Sequence, residues 1–167
     1  GGFPVRYVKS VGPELELFFE AIAEEVRAAF GADAPALECE PGRGLVANST
    51  SLLTRVKLVR GGKGDLFLND GIYGALMEVS QVPDLRPPHR VIRDGVVVTG
   101  ETRAVTVFGP TCDPLDRLPG TFDMPVDLAE GDFVEFGTLG AYGFATLTKF
   151  NGFEEHKTVD VRRAFGL

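Results

Sequence analysis

The chain has 167 residues, of which 44% are hydrophobic and 25% are charged, and its formal net charge is −7 at pH 7. This composition is ordinary for a soluble globular protein of one domain or slightly more, and the acidic balance argues against nucleic acid as a partner. We expect no membrane span and no targeting peptide, because no apolar run approaches ~18 residues. Two cysteines and two histidines favour neither a disulfide framework nor a metal site, so we expect a reducing cytoplasm.

The first regular pattern is an amphipathic helix predicted over Glu14 to Phe30. Its apolar residues recur at helical spacing, and Gly31 follows as a stop signal. We expect this helix to pack on a core and to have no chemical role. A short strand is predicted next, over Ala34 to Cys39.

The stretch from Glu38 to Ala47 has the composition of an anion-binding loop. Gly42 lets the backbone come close to a ligand, and Arg43 offers a planar fork of donors that matches phosphate oxygens. If Gly44 to Ala47 begins a helix, the free N–H groups and the positive dipole end of that helix would also attract a phosphate. Glu40 would repel a phosphate, so its carboxylate must serve another part of such a ligand, for example a protonated ring nitrogen. The alternative is an ordinary turn with a surface ion pair, and the stretch alone does not decide.

Beyond a short helix at Leu45 to Asn48, the pattern changes to that of a β-rich region. Two turns are expected, at Gly61 to Gly64 and at Asp94-Gly95. The predicted strands are Leu52 to Arg60, Asp65 to Leu68, His89 to Arg93, Val96 to Thr99, Thr102 to Phe108, Phe133 to Phe136 and Gly143 to Thr148. We therefore predict a domain boundary between residues 1–50 and 51–167.

Cys112 lies between Pro110 and Pro114 on a constrained turn and is followed by Asp113. A thiol in such a loop can act as an acid or can be inert, and the residues alone favour the inert alternative. A carboxylate such as that of Asp113 can pair with a terminal ammonium in a partly desolvated pocket. Asp116 is expected to cap a turn.

Several blocks of the sequence occur in the order and at the spacing found in one enzyme family. They are Gly1 to Pro4, Glu38 to Ala47, Leu68 to Gly74, Gly109 to Asp116, and Gly140 to Gly143 with Phe150 to Phe153 after it. In these blocks the chain resembles the ornithine decarboxylase-like family, the pyridoxal-phosphate decarboxylases of basic amino acids, with diaminopimelate decarboxylase as a cousin.

The resemblance implies an α+β, mainly β chain. Residues 1–50 would be the end of a (β/α)8 barrel, and residues 51–167 would be a C-terminal β-sandwich or β-barrel domain. A barrel alone needs ~250 residues, so we expect an upstream barrel half that carries the Schiff-base lysine. No lysine of this chain lies in a context that resembles that motif; the lysines are Lys9, Lys57, Lys63, Lys149 and Lys157.

The resemblance also implies a binding site for pyridoxal 5'-phosphate. Glu40 would keep the pyridine ring protonated. The residues expected to hold the phosphate are Gly1, Gly2, Gly42, Arg43 and Tyr142. Without the resemblance, Tyr142 is equally a half-buried strand tyrosine.

On the substrate side, the resemblance implies that Cys112 returns a proton to Cα and that Asp113 binds the distal amine. Phe150 would lie near the substrate, although its residue type alone favours a core position, and Tyr73 is expected at the same interface. These residues would serve the partner subunit of a homodimer. His89 and His156 match no family residue, and we expect structural or solvent-exposed roles for both.

These expectations amount to a decarboxylase of ornithine, or of lysine, that produces a diamine and CO2 for polyamine biosynthesis; this chain alone would be inactive. Val82 stands where ornithine decarboxylases carry an aspartate for the distal amine, and Asp84 lies two residues later. Diaminopimelate is less expected, because that branch has a glutamate where this chain has Asp113. Two alternatives stay open: a non-catalytic, decarboxylase-like binding or regulatory protein, and a β-barrel interaction module whose motifs are only turns.

Overall fold

The structure is a computed structural model that describes residues 1–8, 14–62, 64–82, 84–153, 155–162 and 164–165. Lys9 and Lys63, two of the lysines to which the sequence assigns no Schiff-base role, lie outside the described residues, as does Pro83. Within the described part of the chain, no helix is both long and apolar enough to cross a membrane.

The chain forms a curved sheet with short helices around it. The helices are α1 (Leu15–Phe30), α2 (Gly42–Val46), α3 (Met77–Gln81) and α4 (Gly143–Thr146). Single 3-10 turns lie at Gly31–Asp33, Ala47–Ser49 and Phe150–Gly152. The strands are β1 (Leu52–Arg60), β2 (Asp65–Leu68), β3 (His89–Arg93), β4 (Val96–Val97), β5 (Thr102–Phe108), β6 (Phe122–Pro125) and β7 (Phe133–Phe136).

The strands form one sheet in the order β4-β3-β7-β1-β2-β5-β6. All neighbours are antiparallel except β2 and β5, which are parallel. The sheet curls into a half-barrel, so that β3 approaches β6: His89 Nε2 lies 3.1 Å from the carbonyl oxygen of Asp123. The mainly β character expected from the sequence is confirmed. His89 has a structural position where β3 approaches β6.

The core fills the concave side of the half-barrel. From Leu52 to Lys57 in β1 the side chains alternate between buried and exposed, as expected for a strand with one face on a core. Thr54 is the polar member of the buried face, and its hydroxyl donates to the Val134 carbonyl at 2.9 Å, which satisfies it. The largest fully buried side chains are Phe136, Leu66, Leu68, Leu76, Leu118, Met124 and Leu139.

The parallel pairing of β2 with β5 sets the position of two loops. Leu66 pairs with Val107, and Phe67 pairs with Phe108, whose rings stack 4.9 Å apart. Because parallel strands end at the same edge of a sheet, the segments that follow β2 and β5 leave it side by side. Two of the sequence blocks, Leu68 to Gly74 and Gly109 to Asp116, are therefore neighbours.

Two expectations for the first fifty residues are wrong. Helix α1 forms as predicted but buries no residue; its one aromatic contact is between the rings of Phe19 and Phe3, 5.1 Å apart. Within the described part of the chain, no strand of the sheet contacts its apolar face. Ala34 to Cys39 is exposed and is not a strand, because no neighbouring strand among the described residues supplies its backbone with partners.

Near the end of the chain the predicted strand over Gly143 to Thr148 is instead helix α4. The backbone N–H of Gly143 donates to the Leu139 carbonyl at 3.1 Å, which closes a helical turn. Strand β6 was missed because Pro125 and the charged Asp123 weaken its strand pattern. Strand β4 ends at Val97, two residues earlier than predicted. The other predicted strands are confirmed within the described residues.

At the far edge of the sheet, Arg93 binds Asp132 through two hydrogen bonds of 2.8 Å. Asp132 is buried, and it also accepts from the Ala129 N–H at 2.9 Å. The hydrogen bonds from Arg93 hold the pKa of Asp132 below its ordinary value. The carboxylate therefore stabilises the fold when it is ionised.

This pair predicts a pH-dependent effect of Asp132→Asn on stability. A carboxyl whose pKa is lower in the folded state contributes its full stability above the unfolded pKa, about 3.9, and loses that contribution as the pH falls through the folded pKa. We expect the substitution to lower the free energy of unfolding by about 2 kcal/mol at pH 7 and by less at pH ~3, where the unfolded chain already binds the proton. Urea unfolding at both pH values measures this difference.

Asp123→Asn is the matched control, because Asp123 is an exposed strand carboxylate. Its effect should be small at both pH values. An Asp132→Asn effect of the same size at pH 3 and at pH 7 would contradict the ion-pair explanation.

Candidate functional site

A buried carboxylate, that of Asp116, joins the two loops that leave β2 and β5. Its Oδ1 accepts from the Ile72 N–H at 3.0 Å, and its Oδ2 accepts from the Thr111 N–H at 3.0 Å. The Asp116 backbone carbonyl also accepts from the Gly109 N–H at 2.8 Å. The expected capping role is confirmed, and the cap bridges two loops.

The close approach of these loops requires glycine. A Cβ at Gly71 would overlap the Asp116 carboxylate and would lie 2.7 Å from the Gly109 Cα. A Cβ at Gly109 would overlap the same carboxylate. The glycines of both sequence blocks therefore leave room for Asp116.

The joined loops bring together four side chains that we call the Cys112 cluster: Cys112, Asp113, Tyr73 and Phe150. The Tyr73 hydroxyl donates to Asp113 Oδ2, and the rings of Tyr73 and Phe150 lie 4.4 Å apart. Cys112 is exposed and receives a contact of 3.7 Å from Asn151 Nδ2. The cluster thus presents a thiol, a carboxylate and aromatic surface together.

Residues after α4 carry Phe150 to this place. The backbone N–H and the hydroxyl of Thr148 both donate to the Tyr73 carbonyl, at 2.9 Å and 2.8 Å. Asn151 then adopts a positive φ of 54°, which asparagine tolerates better than most residues. This turn places the Asn151 amide against Cys112.

The hydrogen bond between Tyr73 and Asp113 changes the acidity of both groups. It lowers the pKa of Asp113, and the Leu115 N–H, which donates to Asp113 Oδ1 at 2.9 Å, acts in the same direction. The same bond raises the pKa of Tyr73. At neutral pH the cluster therefore holds a carboxylate anion beside a neutral phenol.

A second group of side chains, the Arg43 cluster, comprises Arg43, Glu78, Tyr7 and Tyr142. Arg43 Nη1 donates to Glu78 Oε2 at 3.1 Å and to the Tyr7 hydroxyl at 2.7 Å, while Nη2 donates to Glu78 Oε1. The guanidinium carbon lies 4.9 Å from the centre of the Tyr142 ring. The Glu78 hydrogen bond raises the pKa of Arg43, and burial raises the pKa of Tyr7.

The two glycine-containing segments predicted to bind phosphate lie beside each other. A Cβ on Gly1 would come 3.3 Å from the Glu40 carbonyl oxygen, and one on Gly44 would come 3.4 Å from the Phe3 Cβ. Gly2 has a φ of +85°. Glu40 itself is exposed, and Gly42 is the first residue of α2, which begins two residues before the expected Gly44.

The predicted site residues thus fall into two groups. Cys112, Asp113 and Phe150 meet in one cluster. The first segment brings Gly1 to the Glu40 carbonyl, and Arg43 meets Tyr142. Among the described residues, no cluster of three or more metal-ligand side chains occurs.

Sequence reasoning missed Glu78 and Tyr7, and it gave Asn151 no role of its own. One signal was available for Glu78, because it is a charged residue inside the apolar run Ala75 to Val79. A carboxylate in such a position is seldom buried without a partner. No local pattern marks Tyr7 or Asn151.

One segment, Asp70 to Glu78, connects the two clusters. Asp70 Oδ1 accepts from the N–H groups of Gly71 and Ala75, at 2.7 Å and 3.2 Å, and Asp70 Oδ2 lies 2.8 Å from His156 Nε2. The segment supplies Tyr73 to the Cys112 cluster and Glu78 to the Arg43 cluster. His156 therefore has a structural contact, as expected from the sequence.

A sheet domain with these loops is known as part of one class of enzyme. The family model described as "Pyridoxal-dependent decarboxylase, C-terminal sheet domain" matches residues 7–140. The chain belongs to this family, the pyridoxal-dependent ornithine, diaminopimelate and arginine decarboxylases, of which it contains the sheet domain.

Individual relatives agree with the family. Ornithine decarboxylase of Schizosaccharomyces pombe is 35% identical over 132 residues, which cover 72% of this chain and 30% of that protein. Lysine/ornithine decarboxylase of Selenomonas ruminantium is 32% identical over 155 residues, which cover 92% of this chain and 37% of that protein. The chain therefore spans about a third of the length of these relatives.

The fold is also that of a solved relative. A lysine/ornithine decarboxylase from Vibrio vulnificus, crystallised with cadaverine, matches with a TM-score of 0.77 and 32% identity. The match covers 97% of this chain and 43% of that chain. The barrel half of the fold is not in this chain.

The junction between the two loops predicts that Asp116→Ala is strongly destabilising. The substitution leaves the N–H groups of Ile72 and Thr111 without their acceptor, and hydrogen bonds to a charged group contribute about 1.5 kcal/mol or more each. We expect the free energy of unfolding to fall by about 3 kcal/mol. Urea unfolding of the chain measures it.

Asp116→Asn keeps one amide oxygen as an acceptor and should cost less than Asp116→Ala. Glu101→Ala, at an exposed position, is a control that should stay within about 0.5 kcal/mol of the unsubstituted chain. An Asp116→Ala effect in that same narrow range would show that the carboxylate does not hold the loops.

Proposed function

We propose that this chain is the sheet domain of a pyridoxal-phosphate-dependent decarboxylase that converts ornithine, or lysine, to a diamine and CO2, a reaction of polyamine biosynthesis. The observation that carries the proposal is the Cys112 cluster, in which a thiol, a carboxylate and two aromatic rings meet at one edge of the sheet. The Vibrio vulnificus relative that shares this fold was crystallised with cadaverine, a diamine.

The residues present fit pyridoxal phosphate. A guanidinium lies on a tyrosine ring in the Arg43 cluster; on either side of this arginine in the sequence, the Glu40 carbonyl lies against Gly1 and Gly44 lies against Phe3. We assign the protonated ring nitrogen to Glu40. The phosphate we assign to the residues predicted for it from the sequence, Gly1, Gly2, Gly42, Arg43 and Tyr142. A solved relative with a TM-score of 0.75 contains this cofactor together with cadaverine.

When bound, the cofactor supplies an electron sink for the pair of electrons that remains at Cα as CO2 departs. The chain's own residues bind the substrate and move a proton. Asp113 is ionised at neutral pH, as an ordinary carboxyl group is, and the hydrogen bond from Tyr73 lowers its pKa further; the carboxylate pairs with the distal ammonium of the substrate. Cys112 gives its thiol proton to Cα as a general acid, and the Asn151 amide holds the sulfur in place.

The substrate assignment depends on the region after α3. Val82 is 38% exposed, so the aligned position offers an apolar side chain where an aspartate would bind the distal amine. Asp84 is exposed and has a positive φ of 61°. Asp113 is then the main carboxylate for the distal amine. Ornithine is the first substrate in this proposal, and lysine is the second.

The working protein in this proposal is a homodimer in which Cys112, Asp113 and Phe150 serve the partner's site, as an isologous interface allows. An upstream barrel half supplies the Schiff-base lysine. The domain boundary between residues 50 and 51 and the cytoplasmic location also stay predictions.

A non-catalytic, decarboxylase-like binding protein is the second candidate. One observation favours it: no lysine of this chain lies in a context that resembles the Schiff-base motif. The two candidates differ in one measurement, since a binding protein would take up the cofactor or a diamine without releasing CO2.

The acid role predicts that Cys112→Ala impairs a complete decarboxylase, that is, this chain preceded by its barrel half. We expect diamine formation from ornithine and lysine to fall about a hundredfold, a typical loss when a general acid is removed, while cofactor absorbance stays unchanged. Cys39→Ala is the matched control, because Cys39 is the other exposed cysteine and lies outside the cluster. Unchanged diamine output from Cys112→Ala would refute the assignment.

Sharing of sites across a dimer predicts complementation between two inactive variants. Cys112→Ala removes the acid, whereas Glu40→Ala removes a cofactor contact, and in a mixed dimer one site receives both defects while the other receives neither. Random pairing should restore about a quarter of the unsubstituted activity. Mixed dimers that form, as native mass spectrometry would show, and yet stay inactive would mean that each subunit builds its own site.

A further inference from the structure

Glu78 is a buried carboxylate for which the proposed reaction has no use so far. It is 5% exposed, lies on α3 and binds Arg43 through both oxygens. Arg43 is the residue to which we assign the cofactor phosphate. A buried carboxylate on that guanidinium either holds it in place or competes with the phosphate for it.

The geometry of the Arg43 guanidinium determines which of its N–H groups remain to bind a phosphate. Arginine has five N–H donors on a planar fork. Glu78 takes one hydrogen of Nη1 and one of Nη2, the two atoms at the tip, and Tyr7 takes the second hydrogen of Nη1. Within the described part of the chain, no acceptor is found for Nε or for the second hydrogen of Nη2.

The two remaining donors form one edge of the fork. Nε and Nη2 are adjacent, so their hydrogens point the same way and match two oxygens of a phosphate. The Tyr142 ring contacts the guanidinium with its centre 4.9 Å from the guanidinium carbon, and among the described residues the hydrogen bonds of Arg43 go to Tyr7 and Glu78. The Arg43 side chain is 25% exposed, so without its partners it could turn toward solvent.

We propose that Glu78, helped by Tyr7, is a positioning residue that fixes Arg43 so that its Nε/Nη2 edge is presented to the phosphate of the cofactor. This inference rests on the proposed function. Glu78 uses both oxygens on the tip of the fork, which is a different edge from the one left for the phosphate. The Tyr7 hydroxyl is neutral at pH 7, as an ordinary phenol is, and it adds an acceptor without adding a second negative charge.

The test compares the affinity of two cofactor forms for the apoprotein of the complete decarboxylase. Pyridoxal phosphate has the phosphate and pyridoxal lacks it, so the dissociation constant of pyridoxal divided by that of pyridoxal phosphate, here called the ratio, measures what the phosphate contributes. Absorbance titration gives both constants. We expect Glu78→Ala to weaken pyridoxal phosphate about tenfold, as for one disrupted charge-assisted contact, and to leave pyridoxal nearly unchanged.

Glu78→Gln retains the side-chain size and one acceptor oxygen, so it should weaken pyridoxal phosphate less than Glu78→Ala. In an Arg43→Ala background, Glu78→Ala should cause no further change in the ratio, because the residue acts only through Arg43. Glu135→Ala is the matched control: Glu135 is a buried carboxylate that binds Arg90 in the sheet, with an Nε to Oε2 distance of 2.7 Å. It should lower stability and leave the ratio unchanged.

Two results would overturn the inference. An unchanged ratio in Glu78→Ala and Glu78→Gln, with only a loss of stability as in Glu135→Ala, would make the pair purely structural. A ratio that rises would mean that Glu78 repels the phosphate more than it orients Arg43. Failure of the unsubstituted protein to bind either cofactor form would instead refute the proposed function.

Discussion

The arrangement of the candidate site depends on the burial of one carboxylate between two loops. Burying an anion is favourable only when it is well hydrogen-bonded, and Asp116 meets that condition with backbone N–H groups from both loops. The parallel pairing of β2 with β5 brings the loops to the same edge, and Gly71 and Gly109 leave the space. The positions of Cys112 and its neighbours follow from this junction.

The two clusters have different electrostatic character, which suits different parts of a reaction. The Cys112 cluster holds an anion beside a neutral phenol, and it suits a substrate that ends in an ammonium group. The Arg43 cluster pairs its cation with Glu78 and lies beside backbone that lacks side chains, which suits an anionic group. The segment from Asp70 to Glu78 contributes a side chain to each cluster, and the hydrogen bonds of Asp70 fix the start of this segment.

Much of the sheet could be predicted from the sequence, because residue alternation, as along β1, reports burial on one face. Expectations failed where the outcome depends on partners distant in sequence. Ala34 to Cys39 forms no strand because no neighbouring strand pairs with it among the described residues, and within the predicted strand Gly143 to Thr148 the residues Gly143–Thr146 form a helix. In the site, the motif residues Cys112 and Arg43 could be found from local patterns. For Glu78 the local pattern showed only a charged residue inside an apolar run; its partner Arg43, 35 positions away in the sequence, could not be predicted from it.

The segment from Asp70 to Glu78 must also preserve its length. Its start is fixed by the Asp70 cap, its middle by the Tyr73 contacts, and its end by the pair with Arg43. In a helix each residue turns the chain by about 100°, so one inserted or deleted residue before Glu78 would carry its carboxylate away from Arg43. Natural variation in this segment should therefore consist of substitutions, while insertions and deletions collect in the exposed turns at the opposite edge of the sheet.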